Sequence, residues 1–355
     1  MREKRDQRKA AFDMLNKLPR KQLAFLPTPL HKLEKLSQAY GVEIYMKRDD
    51  LTGIEFGGNK TRKYEFILPG VLESGADYVL TAAAFQSNWC RQAVTTGIKC
   101  GFKTILYLFG KKVPEEYQGN VLINKTMGAE VHLIELNPGE DIIAGMKRTE
   151  ETRKARIEEL EKQGFRCQWL DIGGPVAEGH VAYTYAFGEL SEDLDRLNMD
   201  LDDLDYVITA MGTGGTYTGL LTGKKLFDAD VKVKGYTVSH MFPAIEDDVL
   251  TGAKDTAKLL GADLSFARED LDINNEYIGE AYAVPSEKSI EATKEVARKE
   301  AVLLDPVYTA KAMAGLLDQI RKGIIPRGSK ILFWHTGGLP AFFAGEKYTG
   351  KVWEE

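Results

Sequence analysis

The sequence predicts an α/β protein of two lobes, each a mostly parallel twisted sheet flanked by helices. Two observations predict it. Short apolar runs rich in β-branched and aromatic residues alternate with longer helical patterns along the chain, as strands joined by helical crossovers do. The 355 residues also exceed what one core usually organises, since domains run to roughly 100–200 residues. Two lobes with a cleft between them are therefore expected.

The buried strands read in order as VEIYMKR near residue 42, DYVLTAAAF from Asp77, KTILYLF from Lys103, AEVHLIEL from Ala129, DYVITAMG from Asp205, VKVKGYTV from Val231 and KILFWHT from Lys330. Between residues 138 and 165, charged and aliphatic residues alternate at helical spacing, which predicts a solvated amphipathic helix. There is no internal repeat and no long linker.

Composition narrows the function classes. The hydrophobic fraction of 43% and charged fraction of 28% are those of a globular protein, and the net charge of −6 is spread along the chain. Nucleic acid and anionic membrane are poor partners for such a surface. The N-terminal MREKRDQRKAAFDMLNKLPRK is too charged for a secretory signal, and no segment reaches the ~20 apolar residues of a membrane span, so a cytoplasmic address is expected. Cys90, Cys100 and Cys167 are too few and too irregularly spaced for a disulfide framework or a zinc site, and they read as structural; no metal is expected.

Two loops carry chemistry. In KRDDLTGIEFGGNKTRKYEFIL, residues 47–68, Lys60 follows a glycine pair and Asn59 where a loop enters a helix. A lysine amine condenses with an aldehyde cofactor only if it is held beside it and kept partly deprotonated by dry or electropositive surroundings. Arg62 and Lys63 are close enough in sequence to supply such a field. On its own, GGNK also reads as an ordinary surface loop. The second loop, in DYVITAMGTGGTYTGLLTGKKL, runs from strand through Gly212, Thr213, Gly214, Gly215 and Thr216 into a helix. Glycines let backbone N–H groups approach an anion, and the helix adds the positive end of its dipole. No Gly-Lys-Ser/Thr closes the loop as in a nucleotide-triphosphate site, and Tyr217 stands where a dinucleotide fingerprint has its third glycine. A single phosphate fits best, with a merely tight turn as the competing reading.

Together with AFQSNWCRQAV, LLDPVYTAKAMAGLL and ILFWHTGGLPAFFA, these loops occur in the order found in the D-cysteine desulfhydrase and 1-aminocyclopropane-1-carboxylate (ACC) deaminase family, which the chain resembles from about residue 26 to residue 344. These are two-lobed pyridoxal 5′-phosphate (PLP) enzymes of fold type II. The resemblance implies PLP as cofactor, Lys60 as the Schiff-base residue and base for the α-proton, and residues 212–216 as the phosphate cradle. It implies Asn88 as partner of the cofactor's phenolic oxygen, Ser87 as the hydroxyl at the substrate carboxylate, and Thr336 as partner of the pyridine nitrogen. Tyr282 and Tyr308 match two active-site tyrosines, and Trp89 falls in the substrate region beside Asn88. It further implies a homodimer, and a smaller lobe of residues 66–171 inserted in a larger one of 1–65 and 172–355. Ser87 and Asn88 are also common helix caps, and most tyrosines are half-buried core residues. His335 beside Thr336 reads as a packed strand-end histidine.

Two departures bear on the reaction. The ACC deaminase pattern has a glutamate after the tyrosine of DPVY, where this chain has Thr309, and a neutral partner for the cofactor favours β-elimination over opening of a cyclopropane. The desulfhydrase pattern has a histidine where this chain has Trp89, which leaves the accepted side group open. The expected reaction is α,β-elimination on a small 3-substituted amino acid, D-cysteine first, with L-cysteate, D-serine and ACC as alternatives. A racemase or synthase, and a phosphate- or nucleotide-binding protein in which Lys60 is idle, are the rival classes.

Overall fold

Ten strands form two sheets in a computed structural model that describes residues 2–344. They are β1 (Leu30–Lys32), β2 (Glu43–Arg48), β3 (Tyr78–Ala84), β4 (Lys103–Gly110), β5 (Glu130–Glu135), β6 (Cys167–Leu170), β7 (Tyr206–Met211), β8 (Lys232–Thr237), β9 (Asp272–Asn274) and β10 (Lys330–His335). One sheet has the order β1-β2-β10-β7-β8-β9 and the other β5-β4-β3-β6. Every pairing is parallel except β1 with β2. The α/β expectation holds, and all seven expected strands are present.

The central strands are apolar throughout because helices cover both faces of each sheet. Residues 206–211 of β7 are all buried, as are residues 331–335 of β10. β1 and β9 have only three residues each, and β6 buries only Leu170 fully, so none of the three leaves the continuous apolar run by which the others are read. The expected helix within 138–165 is two helices, Ile142–Arg148 and Glu150–Lys162, which break at Thr149. Asp141 caps the first by accepting from the Ala144 N–H at 2.8 Å. Most of the second is exposed, as its charge alternation requires.

The larger core joins the N-terminal helix Arg2–Leu15 to the helix Ala177–Arg196, where the Phe12 ring lies against Gly188 so closely that a Cβ there would come within 2.3 Å of it. Behind β2 and β10, a buried ionic cluster replaces apolar packing. Arg62 donates to Asp49 at 2.8 and 2.9 Å and to Glu189 at 2.8 and 2.9 Å. Lys47 pairs with Glu189 at 2.6 Å and also with Asp193, while Tyr183 and Trp334 donate to Asp49 at 2.6 and 2.8 Å. Burial alone would raise the Glu189 carboxyl, but Arg62 and Lys47 bring it down to about 2.

Candidate active site

The C-terminal ends of β3, β7, β8 and β10 point toward a cleft of about 820 Å³ including its mouth, where an α/β sheet places its ligands. Lys60, Ser87, Asn88, Trp89, Gly212, Thr213, Gly214, Gly215, Thr216, Tyr282, Tyr308 and Thr336 all line it. Residues up to 276 positions apart in the chain therefore meet in one place.

Lys60 sits in the first turn of the helix Asn59–Glu73. The chain enters that helix through an unusual backbone, with Glu55, Phe56, Gly57 and Gly58 all at positive φ. Glu55 and Phe56 do not adopt this readily, so outside contacts impose it. Arg91 donates to the Glu55 carbonyl and, at 3.0 Å, to that of Gly57, and Gln92 donates to Ile54 and Gly57 at 3.1 Å. The Asn59 N–H then bonds the Thr336 carbonyl at 2.9 Å, which docks the loop on the end of β10. Sequence reasoning missed Arg91 and Gln92. Their signal is two large polar residues between the apolar pairs Trp89–Cys90 and Ala93–Val94 of one helix, and both are fully buried.

Burial pushes the Lys60 amine down to about 8. The field expected from Arg62 is not the cause, because its charge is spent on Asp49 and Glu189 on the far side of the helix. Lys63 does face the cleft. It is fully buried, and its Nζ donates to the Gly173 carbonyl at 3.0 Å. A Cβ on Gly215 would lie 2.6 Å from its Nζ, so glycine is needed there for the lysine to reach the loop. Burial, then the like charge of Lys60, holds Lys63 well below the usual lysine range.

Around the loop, Gly214 caps the helix Gly215–Leu226 at φ 81° with no side chain bonded to the first N–H groups, which leaves them for an anion. Asn59 donates to the Thr216 hydroxyl at 3.0 Å and ties the lysine loop to the glycine loop. Tyr217 turns away and accepts from the Asp272 N–H at 2.9 Å. A second helix end, that of Asn88–Cys100, also opens on the cleft. Ser87 is its N-cap, accepting from Cys90 at 3.2 Å, so its capping and pocket-lining positions coincide. Asn88 Oδ1 accepts from Asn120 at 3.0 Å.

Trp89 reaches the wall of the cleft, but its indole N–H is spent on Thr81 at 2.9 Å and its ring stacks on Tyr64 at 4.2 Å. It is a fixed apolar surface. Tyr282 and Tyr308 bring their hydroxyls to 2.6 Å of each other. Burial pushes Tyr308 up to about 12, with the bond to Tyr282 opposing, so it is a neutral phenol at ordinary pH and suits proton transfer rather than service as a standing base.

Thr309 requires a correction. It does not line the cleft, and its hydroxyl donates to Asp305 Oδ1 at 2.7 Å while accepting from the Asp305 N–H at 2.8 Å. The local demand of a helix start claims it. His335 Nδ1 accepts from the Gly337 N–H at 3.2 Å, which leaves Nε2–H to donate to the Leu303 carbonyl at 2.9 Å, as a packed ring.

A lysine that loses its proton near neutrality faces an anion cradle built from glycine N–H groups and the buried Lys63 amine, which suits an aldehyde that carries one phosphate. That chemistry defines the class. A protein-family model described as "Pyridoxal-phosphate dependent enzyme" matches residues 21–337, and the chain belongs to this family. Within it, the chain is 36% identical over 342 residues to 1-aminocyclopropane-1-carboxylate deaminase of Rhizobium leguminosarum bv. viciae, covering 93% of this chain and 97% of that one. It is also 36% identical over 334 residues to D-cysteine desulfhydrase of Salmonella paratyphi A, with coverage of 93% and 97%. The crystal structure of an ACC deaminase homologue matches it with a TM-score of 0.83 at 33% identity, covering 96% of this chain and 98% of that one. The protein is a PLP-dependent lyase of the ACC deaminase and D-cysteine desulfhydrase group, similar to both at equal identity. Among the described residues, no helix is long and apolar enough to cross a membrane.

Proposed function

We propose that the protein catalyses α,β-elimination on a small 3-substituted amino acid, with D-cysteine as the first substrate and pyruvate, sulfide and ammonia as products. One observation carries this reading: among the described residues, no aspartate or glutamate lines the cleft. The lining itself thus supplies the neutral environment first read from Thr309, and Thr336 is the hydroxyl we assign to the ring nitrogen. When bound, PLP supplies an electron sink for the pair released at the substrate Cα. A hydroxyl at the ring nitrogen leaves that sink shallower than a carboxylate would. This suffices where a good leaving group departs from Cβ after loss of the α-proton, and is less suited to a cyclopropane with no α-proton.

The chain's own residues divide the work. Lys60 holds the cofactor and, once released by substrate, takes the α-proton with its amine. Ser87 and the helix end behind it hold the substrate carboxylate, Asn88 orients the cofactor's phenolic oxygen, and Trp89 bounds the side-group space. The Tyr282–Tyr308 pair carries protons to and from the leaving group. Residues 212–216 and Lys63 hold the phosphate. A sulfonate side group would need a further cation, and the basic residues that line the cleft among the described residues, Lys60 and Lys63, are both engaged, which places L-cysteate below D-cysteine. We further propose a cytoplasmic homodimer, by likeness to the family, and lobes of residues 1–65 with 172–355 and 66–171, the limit at 66 passing within the helix Asn59–Glu73.

The test is incubation of the purified protein with D-cysteine, L-cysteine, L-cysteate, D-serine and ACC, measuring pyruvate and 2-oxobutanoate. Pyruvate from D-cysteine is expected, and 2-oxobutanoate from ACC alone would overturn the elimination reading. Lys63→Met is expected to weaken PLP retention by about 10–100-fold in equilibrium dialysis, the worth of one hydrogen bond to a charged group. The unliganded protein should be at least as stable as before by denaturant titration, because the lost amine is a buried polar group whose burial a methionine does not have to offset. Unchanged retention would remove Lys63 from the cradle.

A further inference from the structure

Residues 277–284 deliver Tyr282 to the cleft without helix or strand of their own. Gly279 and Ala283 lie at φ 72° and 60°, the latter a conformation that a side-chain-bearing residue disfavours. The shape of the segment is therefore imposed from outside: the helix Thr309–Arg321, with the residue that precedes it, hydrogen-bonds the segment along its length, while Tyr236 and Lys288 also meet the Tyr277 ring.

The contacting positions of that helix and the residue before it are 308, 311, 315 and 318, whose spacing of three, four and three places them on one helical face. At one end the Tyr277 hydroxyl donates to Asp318 Oδ2 at 2.6 Å, and its ring closes on Gly315, where a Cβ would come 3.0 Å from it. At the other end the hydroxyls of Tyr282 and Tyr308 meet at 2.6 Å. Between them the Lys311 ammonium donates to the carbonyls of Ile278 at 2.6 Å and Ala281 at 2.8 Å.

Lys311 is 0% exposed, and no carboxylate forms an ion pair with it among the described residues. The nearby Asp305 carboxylate is occupied by the N–H groups of Val307, Tyr308 and Thr309 and by the Thr309 hydroxyl. Burial pushes Lys311 down to about 8, with Asp305 opposing, so the ammonium is the form present at neutral pH. A methionine would fill the same volume without the cost of desolvating a charge. What the ammonium adds is the pair of bonds that joins two carbonyls three residues apart.

We propose that Lys311 is a positioning residue for Tyr282: its ammonium serves as an internal cation that pins the carbonyls of Ile278 and Ala281 and sets Tyr282 against Tyr308 over the cleft. The functional part of the proposal rests on the reading of Tyr282 as a proton carrier, whereas the pinning itself does not.

Lys311→Ala removes the ammonium and leaves room for a small cation. In the full-length holoenzyme, kcat on the best of the five amino acids is expected to fall about tenfold or more, with KM changed less than about threefold. Chymotrypsin cleavage after Tyr277 and Tyr282, followed with and without cofactor, is expected to quicken by a similar factor. Methylammonium chloride should reverse both changes in part. Tetramethylammonium chloride at equal concentration, which has no N–H to donate, should reverse neither. Unchanged cleavage in the variant, equal reversal by the two salts, or reversal by neither overturns the pinning. Should Lys311→Ala fail to fold, Lys311→Gln and Lys311→Met replace it: Gln, which keeps donors, is expected to be cleaved several-fold more slowly than Met, and equal rates overturn the proposal. Cleavage that behaves as expected while kcat does not move would leave the pin standing and overturn the role of Tyr282.

Discussion

Lys60→Ala is expected to yield a colourless protein whose turnover falls by ~10³-fold or more, with the fold intact. In the proposed mechanism the side chain is needed twice, to hold the cofactor and to take the α-proton. It is also a partly desolvated amine, so its loss relieves a burial cost instead of opening a packing defect. Retention of the visible band by the variant would show that another group holds PLP. The pH dependence follows the same residue. With the amine brought down to about 8 from the ordinary lysine value near 10.5, the neutral, reactive form grows as pH rises through 8, and attachment of PLP to the empty protein should accelerate over that range. The cofactor-free protein should also gain stability between about pH 8 and 10.5, because there the unfolded chain binds the proton that the folded one has lost. A midpoint near 10.5 would mean that Lys60 is not desolvated.

The second large effect concerns stability. Arg62→Met should destabilise the protein by about 3–5 kcal/mol in denaturant titration, with or without cofactor. The loss does not measure the worth of the ion pair. It is the cost of leaving Asp49, which is 0% exposed, and Glu189 without their shared counter-ion, a burden that Lys47 can lift only from Glu189. The same pairing sets the acid limit. Glu189 is held down at about 2, so its contribution is fully present above pH 4.5 and is lost as pH falls from there toward 2. In Arg62→Met that acid sensitivity should shift upward. A loss below ~1 kcal/mol would show that the cluster relaxes or admits water.

Much of the site was legible because its chemistry requires residue types at fixed local spacing. A glycine loop between a buried strand and a helix is a local statement, and the lysine loop, the Ser-Asn helix start and the strand-end threonine are others. All of their expected residues line one cleft. The misreadings share a cause, which is that side-chain direction is a tertiary property. Arg62 and Lys63 are adjacent in sequence, yet the helix turns one toward Asp49 and the other toward Gly215. Thr309 follows a tyrosine that lines the cleft but is claimed by Asp305, four residues back. Lys311 and Arg91 look like any polar residues on helices until their carbonyl partners, about 30 and 36 positions away, are known. In the fold, strands of three or four residues escaped notice because a short apolar run carries no period.

The position of β10 also bears on how the protein is made. It lies in the middle of the larger sheet, between β2 and β7, yet it is the last strand of the described chain. Until residues 330–335 have been synthesised and threaded between those two partners, the sheet is split, and the Thr336 carbonyl that seats the loop before Lys60 does not exist. During translation Lys60 therefore leaves the ribosome long before its pocket can form, as a reactive-type amine with ordinary basicity in an open chain. The pocket can take the coenzyme only after residues 330–336 have been made and paired, which places the slow, long-range pairing of β10 ahead of loading.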